Sequence, residues 1–246
     1  MMSLADENVQ WDSLVDRQMH LWQEKQRDHK TLCPWDTGHL TISRTYGARG
    51  YRIGELVGQK LKWEVYSRKL VEYIADRSNL RHKVIADFDE KRTSRTLSQT
   101  LFEPSAYSSN KYYRHLVQVI LSLADHGRAV IVGRGANFIA DRKTGLHVRV
   151  TASLESRIER YASQQKVSFK EAKKKVEAVD RERAEYIRHF FHQDPEDPAH
   201  YDVVINVEHL TNEQVADTII AAMAIKFGYP PPKESTTDSS CGDEQS

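Results

Sequence analysis

Four short β-rich runs, each parted from the next by enough chain for a helix, are the strongest constraint in this sequence. They are Leu40–Ser43, "VIVG" at 130–133, "LHVRVTA" at 146–152 and "DVVINV" at 202–207. Connections of a dozen or more residues return a chain over a sheet to a parallel neighbour. The expected fold class is therefore α/β, a three-layer parallel sheet with helices on both faces. In such sheets ligands bind beyond the carboxyl ends of the strands.

Two of those ends carry glycine. After the first strand comes "RTYGARG", with Gly47 and Gly50, and then Ile53, Leu56, Val57 and Leu61 on one face of a helix. A phosphate cradle needs backbone N–H groups turned inward, with glycine where a side chain would block the anion. It also needs a helix N-terminus behind it to support negative charge. No G-x-x-x-x-G-K-[ST] occurs in the chain, so spacing alone leaves a phosphate loop and a tight turn both open. In "VIVGRGA", Arg134 sits between Gly133 and Gly135 at a strand end. A guanidinium there can give a phosphate two hydrogen bonds at once, or it is a surface arginine in a turn.

The stretch from Arg157 to Arg188 holds ten Lys/Arg against six Asp/Glu, a local balance of +4. Arg157 and Arg160 are i, i+3 neighbours, and Arg181, Glu185 and Arg188 share a second helical face. The plain reading is a solvated helical hairpin held by ion pairs. The sharper one is a lid that lowers arginines onto phosphates.

Elsewhere, "KLVEYIAD" and Lys111–Ala124 read as helices, and Thr211 with Gln214 forms a capping box ahead of the last one. Residues 9–27 form an amphipathic helical pattern. Within it Trp11 and Trp22 read as packing residues or as part of a surface for self-association into a homo-oligomer. These features divide the chain into an N-terminal helix and connector (1–38), a main domain (39–228) with its lid at about 157–195, and a tail (229–246). The tail, rich in Pro, Ser and acidic residues, is expected to be disordered.

A formal charge of +1 names no polyanionic partner, and "KEAKKK" at 170–175 reads as a solvated helix face, so no nucleic-acid partner is expected. No apolar run reaches membrane-span length and no signal-peptide pattern opens the chain, which points to a cytoplasmic protein with no membrane partner. Cys33 and Cys241 are too few and too far apart for a disulfide framework. His189 and His192 stand at i, i+3 without a third ligand, so no protein metal site is expected, and Asp202 reads as structural.

These signals arrive in an order that resembles the cytidylate kinase-like family of P-loop nucleoside monophosphate kinases. "LTISRTYGARGYRIGELVGQKL" is similar to that family's opening, "VIVGRGANFI" to its second glycine-arginine strand, and "HVRVTASLESRIERY" to the segment leading into its lid. "RERAEYIR" resembles the R-D-x-x-D-x-x-R lid pattern, with Glu182 and Glu185 for the aspartates, and "YDVVINVEHLTNEQVADTI" the last strand and helix. The resemblance implies ATP-dependent phosphoryl transfer to a nucleoside monophosphate, with Mg²⁺ and a small-molecule nucleotide substrate. The alternative is a nucleotide-binding pseudokinase that senses or binds without catalysis.

By the same resemblance Gly47, Ala48, Arg49, Gly50, Tyr51 and Arg52 wrap the ATP phosphates, and Arg157 and Arg160 lie near the adenine or the lid hinge. Arg134 contacts the acceptor phosphate, Arg181 and Arg188 bridge the phosphates, and Ser94, Arg95 and Arg114 help hold the monophosphate. Arg49, Arg52, Arg134, Arg181 and Arg188 are thereby the expected catalytic residues. Against authentic cytidylate kinases, Gly50 stands where the loop lysine would be, Arg52 where the Mg²⁺-binding hydroxyl would be, and Gly135 where an aspartate would be. The question this leaves is whether Arg49 and Arg52 replace the lysine and the hydroxyl.

Overall fold

The computed structural model describes residues 12–13, 34–76 and 111–228. Most of the N-terminal helical pattern, the tail, and Ser94 and Arg95 lie outside these residues. In chain order the elements are α1 (Pro34–Thr37), β1 (His39–Arg44), α2 (Gly50–Leu61), β2 (Glu64–Tyr66), α3 (Arg68–Asp76) and α4 (Lys111–His126). There follow β3 (Ala129–Val132), β4 (Gly145–Thr151), α5 (Leu154–Gln165), α6 (Phe169–Phe191), β5 (Val203–Asn206) and α7 (Asn212–Phe227). The strands form one sheet in the order β2-β3-β1-β4-β5, and every pairing is parallel.

The expected α/β class is what the chain adopts, and β2 is the strand that sequence reading left out. It spans three residues at a sheet edge and pairs only with β3, in register Val65 to Val130. Three residues are too few to show a period. What sets it is α2's C-terminus: Lys62 adopts a left-handed conformation (φ 55°) and the Trp63 amide donates to the Gly58 carbonyl at 2.8 Å, turning the chain back along the sheet.

Alternation along the strands sorts the core into two apolar layers. Leu40 and Ile42 of β1, Val130 and Val132 of β3, and Leu146, Val148 and Val150 of β4 pack with Ile53 and Val57 of α2 and Val215, Ile219 and Met223 of α7. Ile131 and Tyr66 face the other way, against Leu70 and Ile74 of α3 and Leu116, Ile120 and Leu123 of α4. α2 comes close to the sheet because Gly54 faces Val132 and Ile42; an added Cβ would lie 3.1 Å from Val132. The capping box of α7 forms as its sequence predicts, with the Gln214 amide donating to the Thr211 hydroxyl at 3.1 Å and the Thr211 amide to the Gln214 side chain at 2.9 Å.

The β1–β4 part of the second face is polar: His39, Thr41, His147 and Arg149 are all buried. At the amino ends of the strands, Asp202 accepts hydrogen bonds from Arg142 Nε (2.7 Å), the His147 amide (2.8 Å) and Lys226 Nζ (2.8 Å), which ties β4 to the chain before β5 and to α7. Burial opposes ionisation of this carboxyl, and those donors outweigh it, so its pKa is lowered. No helix among the described residues is long and apolar enough to cross a membrane.

His39 is held at a pKa of about 3 by burial and by the neighbouring charges of His147 and Lys226, against a backbone hydrogen bond at Ala124. His147 is held at about 4, by burial and by Lys226 and Arg142, against the pull of Asp202 and Asp141. Both are therefore neutral in the fold, whereas the unfolded chain takes up protons below about pH 6.5. Stability is complete above that pH and falls as the pH drops towards 4. We expect a loss on the order of 2 kcal/mol per histidine between pH 7 and pH 5. Urea titrations across that range check it, and His147→Leu should remove roughly half of the slope.

Candidate functional site

Because all five strands are parallel, their carboxyl ends share one edge, and the two glycine turns meet there. β1 ends at Arg44 and leads into Thr45–Arg49; β3 ends at Val132 and leads into Gly133-Arg134-Gly135. Gly47 (φ 83°) and Gly133 (φ 91°) take backbone conformations that L side chains rarely adopt. Arg49 (φ 62°) and Arg134 (φ 56°) adopt the left-handed region without that excuse, so each turn carries local strain beside the edge.

The loop is held from behind by α5 and α6. Arg157 of α5 donates through Nε to the Ala152 carbonyl at 3.1 Å and through Nη1 to the Tyr46 carbonyl at 3.0 Å, and it pairs with Asp180 of α6. Asp180 accepts the Tyr46 amide at 2.7 Å, so both backbone groups of Tyr46 are engaged by one ion pair. Arg160 donates to the Gly47 carbonyl at 2.7 Å. The amides of Thr45 and Ala48 donate to the carbonyls of Val150 and Thr45. The N-terminus of α2 has no side-chain cap: Arg49 occupies that position and makes no capping bond. The first amides of α2 are therefore not met by a side chain from that position.

Arg49 turns away from that end, its Nη2 donating to the carbonyls of Val207 and Leu210 beyond β5. Arg52 points to solvent and pairs with Glu55 at 3.2 Å, and Tyr51 is also exposed. Arg49 and Arg52 thus do not bring the chemistry of the lysine and the hydroxyl to the loop. The Tyr51 and Arg52 side chains are exposed, and Arg49 braces the loop against the Val207 and Leu210 carbonyls.

A cavity of about 390 Å³ lies between this edge and α6. Among the described residues six arginines line it: Arg44 from β1, Arg68 from α3, Arg134, Arg149 from β4, Arg157 from α5 and Arg183 from α6. Arg134 pairs with Glu72 and stacks over Tyr186 at 5.0 Å; burial and Arg68 lower its pKa. Arg149 pairs with Glu196 and reaches Ser43 and Tyr201 at 3.3 Å each. Arg183 donates to the Arg44 carbonyl at 3.2 Å and lies over the Tyr46 ring. Arg44 is pushed down to about 9 by burial and by the charges of Arg183, Arg68 and Arg134, which still leaves it cationic at neutral pH.

Arg134 is the expected residue that the fold brings into the cavity, with Arg157 at its wall. Arg181 and Arg188 do share a helix face, and it is the outward one: both are exposed, and Arg188 meets Asp194 at 3.5 Å. Arg114 is exposed on α4. Arg44, Arg68, Arg149 and Arg183 were not anticipated. For Arg183 a signal exists: Ala172, Val176, Asp180, Arg183 and Ile187 follow i, i+4, i+8, i+11, i+15, so the buried stripe of α6 points it inward. For Arg149 the signal is alternation, since it and His147 interrupt the apolar series Leu146, Val148, Val150.

Gly135 lacks a side chain because the Phe191 ring occupies the space where a Cβ would project. His192 is the left-handed C-cap of α6, and its amide donates to the Arg188 carbonyl at 3.1 Å. Among the described residues no group of three or more His, Cys, Asp or Glu is arranged to hold a metal ion. A Mg²⁺ bound with a nucleotide ordinarily takes one or two carboxylates together with phosphate oxygens and water, and needs no such cluster.

The model of the cytidylate kinase-like family matches residues 39–209. A solved structure of an uncharacterized protein from Eubacterium ventriosum aligns with a TM-score of 0.61 at 20% identity, covering 77% of this chain and 99% of that one, which shows a shared fold. Shikimate kinase from Bacteroides thetaiotaomicron aligns with a TM-score of 0.43 at 13% identity, over 75% of this chain and 97% of that one. A curated uronate isomerase from Corynebacterium glutamicum is 29% identical over 152 residues, 58% of this chain, and the matched region spans 29% of that relative's length.

Removing one partner of a mostly buried ion pair leaves an uncompensated charge. Arg157→Ala should therefore destabilise the fold by about 3 kcal/mol, the lower end for such pairs because Asp180 is partly exposed. Urea unfolding reads it, and loop amides near Tyr46 should lose hydrogen-exchange protection.

Proposed function

This chain belongs to the cytidylate kinase-like family, and from that premise we propose that it transfers the γ-phosphoryl group of ATP to a nucleoside monophosphate of the CMP type or a similar small acceptor in the cytoplasm. The observation that carries the reading is the arginine-lined cavity at the carboxyl edge of the sheet, immediately beside an uncapped helix N-terminus. Phosphoryl transfer demands positioning and charge neutralisation far more than covalent chemistry, and those are what this edge offers.

In this reading the ATP phosphates lie on the N-terminus of α2, against the backbone of Gly47, Ala48 and Gly50. Arg160 and Arg49 keep that loop in shape through the Gly47, Val207 and Leu210 carbonyls. The acceptor phosphate enters the cavity and meets Arg134. The α5–α6 hairpin acts as the lid, excluding water that would otherwise take the phosphoryl group. Arg181 and Arg188 reach the phosphates only if the hairpin changes its orientation on closing. Mg²⁺, when bound, neutralises charge between the phosphates.

A second reading, nucleotide binding without transfer, draws on one specific observation. Arg49 is committed to carbonyl groups and Arg52 is exposed, so neither replaces the loop lysine.

Purified protein with ATP and Mg²⁺ should release ADP when CMP or another monophosphate is added, and Arg134→Ala should lower kcat/KM about 100-fold. ATP-induced thermal stabilisation with no turnover on any monophosphate would instead favour the binding protein. No thermal shift with any nucleotide would sink both readings.

A further inference from the structure

A phosphate loop without a lysine still has to meet the anion's charge, and the side chain of Arg44 occupies the space in which it could be met. Arg44 closes β1, and its stem crosses Gly50, the position at which the lysine is missing. A Cβ on residue 50 would lie 2.9 Å from both Cβ and Cγ of Arg44. Its guanidinium then rests on Gly133, where any Cβ would collide with Nη1. The stem of Arg44 explains glycine at 50; at 133 the φ of 91° already asks for glycine, and the guanidinium lies over the space this leaves. A lysine at 50 and an arginine at 44 would compete for one channel.

The charges around that guanidinium do not balance. Arg68 and Arg134 share Glu72, Arg149 has Glu196 and Arg157 has Asp180. Among the described residues no carboxylate pairs with Arg44. Among the described residues, six arginines against Asp180, Glu182, Glu196 and the adjoining Glu72 give the cavity an excess of two positive charges. A carboxylate ligand would offset half of that excess, and a phosphate monoester dianion would offset all of it. Two guanidinium forks, from Arg44 and Arg134, match a phosphate's oxygens.

We propose that Arg44 replaces the missing loop lysine, forming with Arg134 and Arg183 a subsite for a phosphate monoester dianion on the Gly133 turn. The proposal rests on the functional reading above in supposing that a phosphorylated ligand enters the cavity, and it does not require that transfer occurs. The dianion is either a terminal phosphate of the donor nucleotide or the phosphate of the acceptor. Competition of ADP or of CMP with bound inorganic phosphate distinguishes the two.

The test is calorimetric titration and thermal shift of the full chain with inorganic phosphate, CMP and ADP. Wild type should bind phosphate and melt higher in its presence. Arg44→Met, which keeps the stem and removes the charge, should lose at least about tenfold in phosphate affinity without a lower ligand-free melting temperature, because mutual repulsion among the arginines is relieved. Arg44→Lys should retain part of the affinity. Arg44→Gly combined with Gly50→Lys should recover binding that Arg44→Gly alone loses, since the lysine inherits the vacated channel. Phosphate affinity in Arg44→Met equal to wild type, or no phosphate binding by wild type, overturns the proposal. If the binding pattern holds while no nucleotide pair supports turnover, the subsite stands and the phosphotransferase reading falls.

Discussion

Every strand of this sheet runs in the same direction, so each one must be reached by a crossover, and every crossover begins at the same edge. From this constraint the location of the site follows. The turn after β1 and the turn after β3 are separated by most of a hundred residues, yet the pairing of Ile42 with Val132 sets them side by side. Glycines in those turns allow the backbone to bend sharply, and what converges above them is side-chain charge. A sheet of mixed direction would have sent half of these arginines to the opposite end.

Convergence has an electrostatic cost, and the fold meets it unequally. Arg157 is nearly buried and tolerable because Asp180 and two carbonyls satisfy it, and in doing so it fixes Tyr46 and the start of the glycine loop. Arg149 is buried beside Glu196 and Tyr201. Arg44 and Arg183 sit close together, and burial lowers the pKa of each; neighbouring arginines add to this at Arg44, whereas Asp180 opposes it at Arg183. Groups left in this state at a sheet's carboxyl edge are characteristic of sites whose missing counter-charge is a ligand. The apolar contacts of α6 keep them there: Phe190 stacks on Tyr113 of α4 with ring centroids 4.7 Å apart, and Phe191 closes over Gly135. The hairpin that supplies Arg183 is thereby anchored at both the loop and the second apolar layer.

Much of this was legible from residue patterns. Strand alternation and helix periodicity are local properties, so β1, β3, β4, β5, the glycine turns and the capping box of α7 could be read directly. Where reading failed, the determinants were not local. β2 is a strand because β3 offers it an edge, not because three residues declare it. On α6 the pattern that drew attention was the charged one, Arg181 to Arg188, while the inward face is set by Ala172, Val176 and Ile187, which bring Arg183 with them. Arg49, attractive as a substitute cation by position alone, is drawn to carbonyls near residue 210, more than 150 positions away.

The sequence by itself determined the parallel α/β class, the two glycine turns at one edge, the excess of basic residues between Arg157 and Arg188, and the absence of a loop lysine, because each is carried by neighbouring residues and short periods. Only the tertiary structure decided which arginines face the cavity, which are neutralised, and that the stem of Arg44 fills the channel over Gly50 as far as Gly133. Those outcomes depend on distances between residues remote in the chain, and packing and Coulombic balance are settled only when the layers close on one another.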